Sequence, residues 1–234
     1  MTDNADDRHE SLGSFASPPC LMHEFADGLG LASETDPQTL IDVTRWRKAT
    51  RARLIAARMK IDPAERAQMS SRIAIALDEF LGEIAGRTIA GYWPIRSELD
   101  LRPWLKRLRG RGGVCALPAV VRRGAPVEFR AWHSDDPLER DLLNIPVPPP
   151  TELVAPDIVI APLVGFDRDC YRLGNGSGYY DRTLAAVSGR PRIIGVGAAA
   201  ASLPTIYPQP HDVPMDAIIT EHGTIIRQPA GGKC

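Results

Sequence analysis

Long apolar runs are absent from this 234-residue sequence, and their absence excludes a membrane-spanning helix. Such a helix needs roughly 18 to 20 consecutive apolar residues, and no stretch of the chain approaches that length. The N-terminus also lacks the basic start and apolar core of a secretory signal. We therefore expect a cytoplasmic protein without a membrane partner, whose length suits one sizeable domain with its own core.

Cysteines are few and scattered. None belongs to a Cys-x-x-Cys pair and none has a histidine at a zinc-ligand spacing; the four are Cys20, Cys115, Cys170 and Cys234. This pattern argues against a disulfide framework and against a structural zinc site. Cys170 lies beside a glycine-rich segment, but no histidine is near it in sequence, and we assign it no role.

Neither sign of charge dominates the chain, which has 28 basic and 29 acidic side chains. Their distribution is uneven, because residues 1–40 contain eight acidic side chains and a single basic one, Arg8. The rest of the chain is therefore mildly cationic. That excess suits an anionic small ligand such as a nucleotide, but it is too small and too dispersed to indicate nucleic-acid binding.

The sequence divides into an N-terminal arm and one domain. Residues 1–40 are polar and acidic without sustained apolar periodicity, which predicts a mobile arm. Residues 41–234 alternate apolar strand-like runs with helical patterns, which is typical of an α/β domain. We expect a single doubly wound, mostly parallel sheet flanked by helices, with ligands bound outside the carboxyl ends of its strands.

Helices and strands are predicted from periodicity, caps and breakers. Arg47 and Arg51 lie one turn apart on the first predicted helix, so their side chains point the same way, and Asp62 is the expected cap of the second. The predicted helices cover residues 44–60, 62–80, 100–113 and 179–188. The predicted strands cover residues 87–95, 114–121, 127–132, 157–167, 192–199 and 216–220, of which the third could be antiparallel and the sixth is the last along the chain.

A glycine-rich segment, "RLGNGSGYYDRTLA", follows the strongest predicted strand and leads into a helix. Its loop residues are Gly174, Asn175, Gly176, Ser177 and Gly178. Exposed amides before a helix N-terminus make a cradle for phosphate oxygens, and Arg172 could add a charged clamp. The alternative is that the glycines only shape a tight turn. The segment matches neither the phosphate-loop nor the dinucleotide fingerprint, so both interpretations stay open.

Two carboxylates are further candidates. Asp181, at the start of the helix, either holds Mg²⁺ or stabilises the helix dipole. Glu98, in "YWPIRSELD", stands just beyond a predicted strand end, where it either meets polar groups of a heteroaromatic ligand or is an ordinary solvated side chain. Tyr179 and Tyr180 are interpreted as packing residues, one of which could lie against a flat ring.

The segment "PLVGFDRDCYRLGNGSGYYDRTLA" closely resembles the signature of the 5-formyltetrahydrofolate cyclo-ligases, also called 5,10-methenyltetrahydrofolate synthetases. Other segments resemble this family in the same order: the helix with Arg47 and Arg51, "YWPIRSELD", "VCALP", "NIPVP" and "PHDVPMDAIITE". The resemblance covers residues 44–222 and leaves out the N-terminal arm.

The resemblance implies an activity. A member of this family converts 5-formyltetrahydrofolate to 5,10-methenyltetrahydrofolate with ATP and Mg²⁺, and releases ADP and phosphate. Phosphorylation of the formyl oxygen gives an iminophosphate, whose carbon N10 then attacks. Such chemistry depends on positioning and charge neutralisation rather than on a nucleophilic side chain. We expect a monomer whose partner is a reduced folate.

The resemblance also implies roles for single residues. ATP would be bound by Arg47, Arg51, Arg172, Gly174, Asn175, Gly176, Ser177, Gly178 and Tyr179. Asp181 would hold Mg²⁺, Glu98 would face the pterin, and Tyr180 would lie at the formyl or phosphoryl region. Arg172 and Tyr180 are the expected catalytic side chains.

Some positions differ from the family pattern. Arg47 stands where lysine is common, Leu143 where some members have tryptophan, and Val147 where many have glutamate. Residues Ala198–Ala201 are all alanine where the family usually has an aromatic residue and a glutamine. The glycine loop lacks the extra basic side chain of some members. Two alternatives follow: an enzyme for another formyl- or formimino-folate, or a folate or nucleotide sensor that binds without turnover.

Overall fold

A computed structural model describes residues 36–150, 152–187 and 189–228. The helices of this part of the chain are α1 (Pro37–Met59), α2 (Pro63–Leu81), α3 (Arg102–Gly110) and α4 (Tyr179–Ala186). Its strands are β1 (Thr88–Ala90), β2 (Val114–Ala119), β3 (Glu128–Ala131), β4 (Glu139–Arg140), β5 (Pro146–Val147), β6 (Ile158–Pro162), β7 (Gly165–Phe166), β8 (Arg172–Leu173), β9 (Arg192–Val196), β10 (Ala217–Thr220) and β11 (Gly223–Ile226). A 3₁₀ turn, Ala199–Ala201, follows β9. Within these ranges no helix is both long and apolar enough to cross a membrane.

The chain divides into two compact units, Met1–Ala49 and Thr50–Cys234. The described part of the first unit is the N-terminal half of α1. The second unit contains the sheet and all the other helices. Residues 1–35 of the predicted arm lie outside the described residues.

The two long helices begin at capping signals in the sequence. Asp36 accepts a hydrogen bond from the backbone N–H of Thr39 at 3.3 Å, and Pro37 takes the first helical position. Because of this cap, α1 begins earlier than predicted. The predicted cap of α2 is confirmed, since Asp62 accepts from the backbone N–H of Ala64 at 2.8 Å.

The sheet has seven strands in the order β11-β10-β9-β6-β1-β2-β3. Its five central strands pair in parallel, while β3 and β11 are antiparallel edges. The expected doubly wound, mostly parallel sheet is confirmed. Two short antiparallel ladders, β4 with β5 and β7 with β8, lie outside it.

Both faces of the sheet are buried, as the alternation along β6 demonstrates. Ile158 and Ile160 pack into the cluster formed with α2 and α3, whereas Val159 and Ala161 pack into the cluster that contains Leu184 of α4. Because successive side chains on a strand point to opposite faces, a strand buried on both faces is apolar throughout. The first cluster draws its largest helix side chains from Ile73, Leu77, Trp104, Leu105 and Leu108.

Several predicted strands are too long, and the differences shape the site. The strand expected over residues 87–95 ends at Ala90, and the chain beyond it leads irregularly to a turn with positive φ at Arg96 (47°) and Ser97 (59°). The strand expected over residues 157–167 ends at Pro162, and the next residues form the β7–β8 hairpin instead. The expected last strand is also followed by β11, which extends the sheet by an antiparallel edge.

Candidate active site

A cavity of about 190 Å³ lies at the carboxyl ends of the central strands. Its walls come from the C-terminal half of α1 and from the segments that follow β1, β6 and β9. Most of these walls are apolar, with Leu54, Ala57, Ile61, Leu99, Pro162, Leu163, Val164 and Val196 among the lining residues. The expectation of a ligand site outside the carboxyl strand ends therefore corresponds to an actual concavity.

Glu98 is the carboxylate that lines this cavity, and only 6% of the residue is exposed. Its Oε2 accepts from the backbone N–H of Ile95 at 3.0 Å, which closes the turn after β1. Its Oε1 accepts from Asn175 Nδ2 at 3.1 Å and lies 3.7 Å from the guanidinium of Arg58. Burial raises the pKa of Glu98, although the Ile95 N–H, Arg58 and Asn175 oppose that shift.

Arg58 lines the same cavity, and its side chain is 11% exposed. Its Nε donates to the carbonyl of Arg96 at 3.1 Å, which orients the guanidinium along the turn. One terminal nitrogen is buried without a hydrogen-bond partner. Burial lowers the pKa of Arg58, partly offset by the charge of Glu98. The cavity therefore holds an ion pair with hydrogen-bonding capacity left on the cation.

The alanine run forms one wall of the cavity, through Ala198, Ala200 and Ala201. Glu221 holds this wall in place, because its carboxylate accepts from the backbone N–H of Ala199 at 2.9 Å and 3.2 Å. The small side chains leave space where a larger residue would narrow the cavity.

Two further departures from the family pattern, Leu143 and Val147, lie elsewhere. Val147 is buried on β5, and Leu143 is 44% exposed in the loop before that strand. Neither residue lines the cavity.

The glycine loop lies against three arginine side chains, one at each glycine. A Cβ on Gly174 would come 2.5 Å from Arg172, and one on Gly178 would come 2.7 Å from Arg182. Gly176 has a φ of +97°, and a Cβ there would lie 3.3 Å from the guanidinium carbon of Arg51. The glycines thus give room to guanidinium groups at the N-terminus of α4.

These arginines are fixed by hydrogen bonds to the loop or to its helix. Arg51 Nε donates to the Gly174 carbonyl at 2.7 Å, and Arg182 donates to the Ser177 carbonyl at 2.6 Å. Arg172 donates to Asp181 Oδ2 at 2.9 Å. Three positive groups are therefore held beside a helix N-terminus, an arrangement that favours an anion.

The Arg172–Asp181 ion pair is largely buried, with side chains 4% and 15% exposed. Arg172 Nε and Asp181 Oδ1 are buried without a hydrogen-bond partner. Each member of the pair therefore keeps one polar atom that a ligand could satisfy.

Tyr179 and Tyr180 occupy the first turn of α4. The guanidinium of Arg182 lies 5.1 Å from the centre of the Tyr179 ring, and that of Arg172 lies 5.1 Å from the Tyr180 ring. The Tyr180 hydroxyl is buried without a hydrogen-bond partner. Burial raises the pKa of Tyr180, so its hydroxyl keeps its proton at neutral pH.

The structure brings Glu98, Asn175 and Arg51 into one hydrogen-bonded neighbourhood with the glycine loop. Arg47 lies on α1 four residues before Arg51 and belongs to the first unit, and its role stays a prediction.

The described cysteines do not supply a nucleophile, and the described residues do not form a complete metal site on their own. Burial raises the pKa of Cys115 and of Cys170 to about 11, so neither thiol is an activated nucleophile. Among residues 36–150, 152–187 and 189–228, no group of three His, Cys, Asp or Glu side chains could hold a metal ion. Asp181 could therefore hold a metal ion only if a bound molecule or water supplies the other ligands.

Comparison with known proteins decides the family. The 5-formyltetrahydrofolate cyclo-ligase family model matches residues 43–221, most of the chain. The chain belongs to the 5-formyltetrahydrofolate cyclo-ligase family. A 5-formyltetrahydrofolate cyclo-ligase from Mycolicibacterium smegmatis is 30% identical over 152 residues, which are 62% of this chain and 78% of that relative. The predicted family and the enzyme class, a ligase, are confirmed.

Solved structures of cyclo-ligases, under the name 5,10-methenyltetrahydrofolate synthetase, share the fold. The NMR structure of the Aquifex aeolicus protein has a TM-score of 0.68 and 26% identity, over 80% of this chain and 96% of that one. The structure of the Mycoplasma pneumoniae protein has a TM-score of 0.62 and 26% identity, over 75% of this chain and 98% of that one.

Two arginines of the candidate site were missed from sequence. Arg58 lies seven residues after Arg51, which is two helical turns and therefore the same face, so extending the Arg47 and Arg51 pattern would have found it. Arg182 lies four residues after Gly178, one turn into α4, where its side chain returns toward the loop.

Proposed function

We propose that the protein catalyses the ATP- and Mg²⁺-dependent conversion of 5-formyltetrahydrofolate to 5,10-methenyltetrahydrofolate, with release of ADP and phosphate. The observation that carries the proposal is the arginine-lined glycine loop, which Asn175 joins by a hydrogen bond to the buried carboxylate of Glu98 in the cavity. The proposed anion site and the proposed ring site would then be adjacent, as transfer of a phosphoryl group to a folate requires.

The glycine loop supports the ATP part of the proposal. The guanidinium groups of Arg51, Arg172 and Arg182 lie against it, beside the first turn of α4. Phosphate oxygens favour this combination of charge-assisted donors and helix-terminal amides. In the proposed complex these groups hold the triphosphate and neutralise charge on the transferring phosphoryl group. Arg47 is a further proposed ligand of ATP.

Asp181 supports the Mg²⁺ part. Its Oδ2 is paired with Arg172, but its Oδ1 is buried without a partner. Mg²⁺ in nucleotide sites is commonly held by one or two carboxylates together with phosphate oxygens and water, so a single carboxylate fits. Asp181 would hold the ion, which when bound supplies further charge neutralisation.

The cavity supports the folate part. Each carboxylate oxygen of Glu98 accepts one hydrogen bond from the protein and retains a further lone pair. Glu98 can therefore accept two parallel N–H bonds, which the 2-amino and ring N–H groups of a pterin offer. Apolar walls around it suit the faces of the ring.

The proposed reaction needs no nucleophilic side chain. The formyl oxygen attacks the γ-phosphorus of ATP and ADP leaves; N10 then bonds to the formyl carbon, the carbon–oxygen bond breaks, phosphate departs and N10 loses its proton. Tyr180, protonated at neutral pH, can donate its hydroxyl proton in a hydrogen bond at the formyl or phosphoryl oxygen. Arg172 stabilises the transferring group.

A substrate panel tests this function. We expect 5-formyltetrahydrofolate to give the methenyl product, and 10-formyl- and 5-formimino-tetrahydrofolate to give none by an ATP-dependent route. Turnover of the formimino compound in preference would indicate a paralogue with another substrate. Binding of ATP and folates without any turnover would indicate a sensor. We further propose a cytoplasmic monomer without nucleic-acid or membrane partners, and sedimentation tests its oligomeric state.

A further inference from the structure

The cavity contains a polar group that the proposed reaction does not use. Arg58 reaches the cavity from α1, and its side chain is almost as buried as that of Glu98. Its Nε is engaged with the Arg96 carbonyl, but one terminal nitrogen has no hydrogen-bond partner and lies 3.7 Å from Glu98 Oε1. A buried cationic donor without a partner is costly, so it calls for an acceptor supplied by a ligand.

We propose that Arg58 is a specificity-determining residue that donates a hydrogen bond to the ring carbonyl oxygen of the pterin. This inference rests on the proposed function, because it assumes a reduced folate in the cavity. Glu98, as the acceptor, and Arg58, as the donor, would together recognise a 2-amino-4-oxo ring.

The order of groups along the ring edge leads to this assignment. A 2-amino-4-oxo pyrimidine ring presents an amino donor, an N–H donor and a carbonyl acceptor in sequence. Glu98 accepts from the first two. The carbonyl then lies next to the N–H bound by the carboxylate, and a donor 3.7 Å from Oε1, as the Arg58 nitrogen is, lies close enough to reach it. The donor and acceptor pattern of the cavity matches that edge.

Asn175 is not an equivalent donor. Its amide already donates to Glu98 Oε1 at 3.1 Å, and the residue does not line the cavity. Arg66 does line the cavity, but its guanidinium donates to the carbonyl of Ile61 at 3.1 Å. Arg58 is therefore the lining arginine that stands beside Glu98 with a donor to spare.

A 2,4-diamino ring lacks the required acceptor. Its 4-amino group would place a donor against the guanidinium, and its N3 carries no proton for Glu98; a flipped ring would leave the terminal nitrogen of Arg58 without an acceptor. Both poses keep a buried cation unsatisfied, which selects against the diamino compound. The site should therefore distinguish the two rings before any chemistry occurs.

Equilibrium binding without ATP tests the inference. Tetrahydrofolate and its 4-amino counterpart, tetrahydroaminopterin, are titrated against the wild-type protein, Arg58→Met and Arg53→Met. Arg53 is an exposed arginine on the same helix and serves as the matched control. We expect the wild type to favour the 4-oxo compound by about tenfold or more, as loss of a hydrogen bond to a charged group predicts.

The expected pattern across variants is specific. In Arg58→Met the preference falls by about tenfold through lost affinity for the 4-oxo compound, and the remainder reflects the ring N–H that Glu98 accepts; Arg53→Met keeps the wild-type ratio. Arg58→Gln, which retains an amide donor, should keep part of the preference and serves if Arg58→Met does not fold.

Three outcomes overturn the inference. Equal wild-type affinity for the two rings overturns it without any variant. An equal loss of affinity for both rings in Arg58→Met means that Arg58 only supports the cavity; in that case ATP-dependent turnover by the wild type leaves the proposed function standing. A folded wild type that binds neither ring removes the proposed function together with this inference.

Discussion

Asn175 in the glycine loop donates a hydrogen bond to Glu98 in the cavity, with 3.1 Å between Nδ2 and Oε1. These residues are distant in sequence and belong to segments that follow different strands of the sheet. The bond therefore joins the proposed phosphate site to the proposed ring site. A side chain predicted to contact ATP therefore also orients the carboxylate that we propose for the folate.

Asn175→Ala should weaken use of the folate more than binding of ATP. Loss of one hydrogen bond to a charged group corresponds to about 1.5 to 3 kcal/mol, or at least about tenfold in kcat/KM for the folate. Steady-state kinetics with each substrate varied in turn measures the difference. In a double-mutant cycle of Asn175→Ala and Glu98→Ala, the effects of the two substitutions on the activation free energy should be non-additive by roughly 0.5 to 3 kcal/mol. Additive effects would mean that the bond carries no function.

Gly176→Ala should impair ATP binding. The φ of +97° disfavours any other residue, and the added Cβ, 3.3 Å from the guanidinium carbon of Arg51, would push that group by a few tenths of an ångström. Gly86→Ala is the matched control, because Gly86 also has a positive φ (+72°) but nothing lies within 4 Å of its added Cβ. Both variants should lose about 1 to 2 kcal/mol of stability. Calorimetric titration with ATP should detect weaker binding in Gly176→Ala alone. Unchanged affinity would mean that the glycines only shape the turn.

Asp181→Asn should lose both stability and Mg²⁺-dependent turnover. The substitution leaves Arg172 buried without its counter-ion, which costs about 3 kcal/mol. In the double variant with Arg172→Met the buried charge is gone, so the melting temperature should recover while turnover does not. Thermal unfolding and an Mg²⁺ titration of activity separate the two effects. Full activity in a stable single variant would remove Asp181 from the mechanism.

The decrease of kcat/KM at low pH should follow the protonation of Glu98. Burial raises the pKa of this carboxyl, and ring binding needs the ionised form, so kcat/KM should fall as the pH decreases through a value above the ordinary 4.5. Arg58 and Arg96 favour the ionised form and burial opposes it, while the nearby Tyr92 and Tyr180, whose pKa values are raised, stay uncharged in this pH range. Arg58→Met should therefore move the midpoint to higher pH. A midpoint identical to the wild type would contradict this electrostatic role of Arg58.

Much of the fold was predictable because it depends on local patterns. Both faces of β6 are buried, so its sequence is a continuous apolar run, and Asp62 caps α2 as its position indicates. The strand ends were less predictable. Glu98 folds back to bond the Ile95 N–H, and this contact turns an apolar sequence away from the sheet.

The site was predictable where one short segment carries it. The glycine loop and α4 were located from sequence, but Arg51, one of the three arginines that lie against the glycines, comes from α1, far away along the chain. The partner of Arg58 lies 40 residues away, beyond α2 and β1, so their contact depends on how the sheet is assembled. Periodicity gives the face of a helix that a side chain occupies, not the group that it meets.

The most direct test of the account is the coupling between product and nucleotide. Purified protein is mixed with (6S)-5-formyltetrahydrofolate, Mg²⁺ and ATP, and the near-ultraviolet absorbance of the methenyl product is followed together with release of ADP. The account predicts that product forms only with ATP and that one ADP appears for each methenyl product. Product without ATP, or no product from protein that binds both ligands, would contradict it.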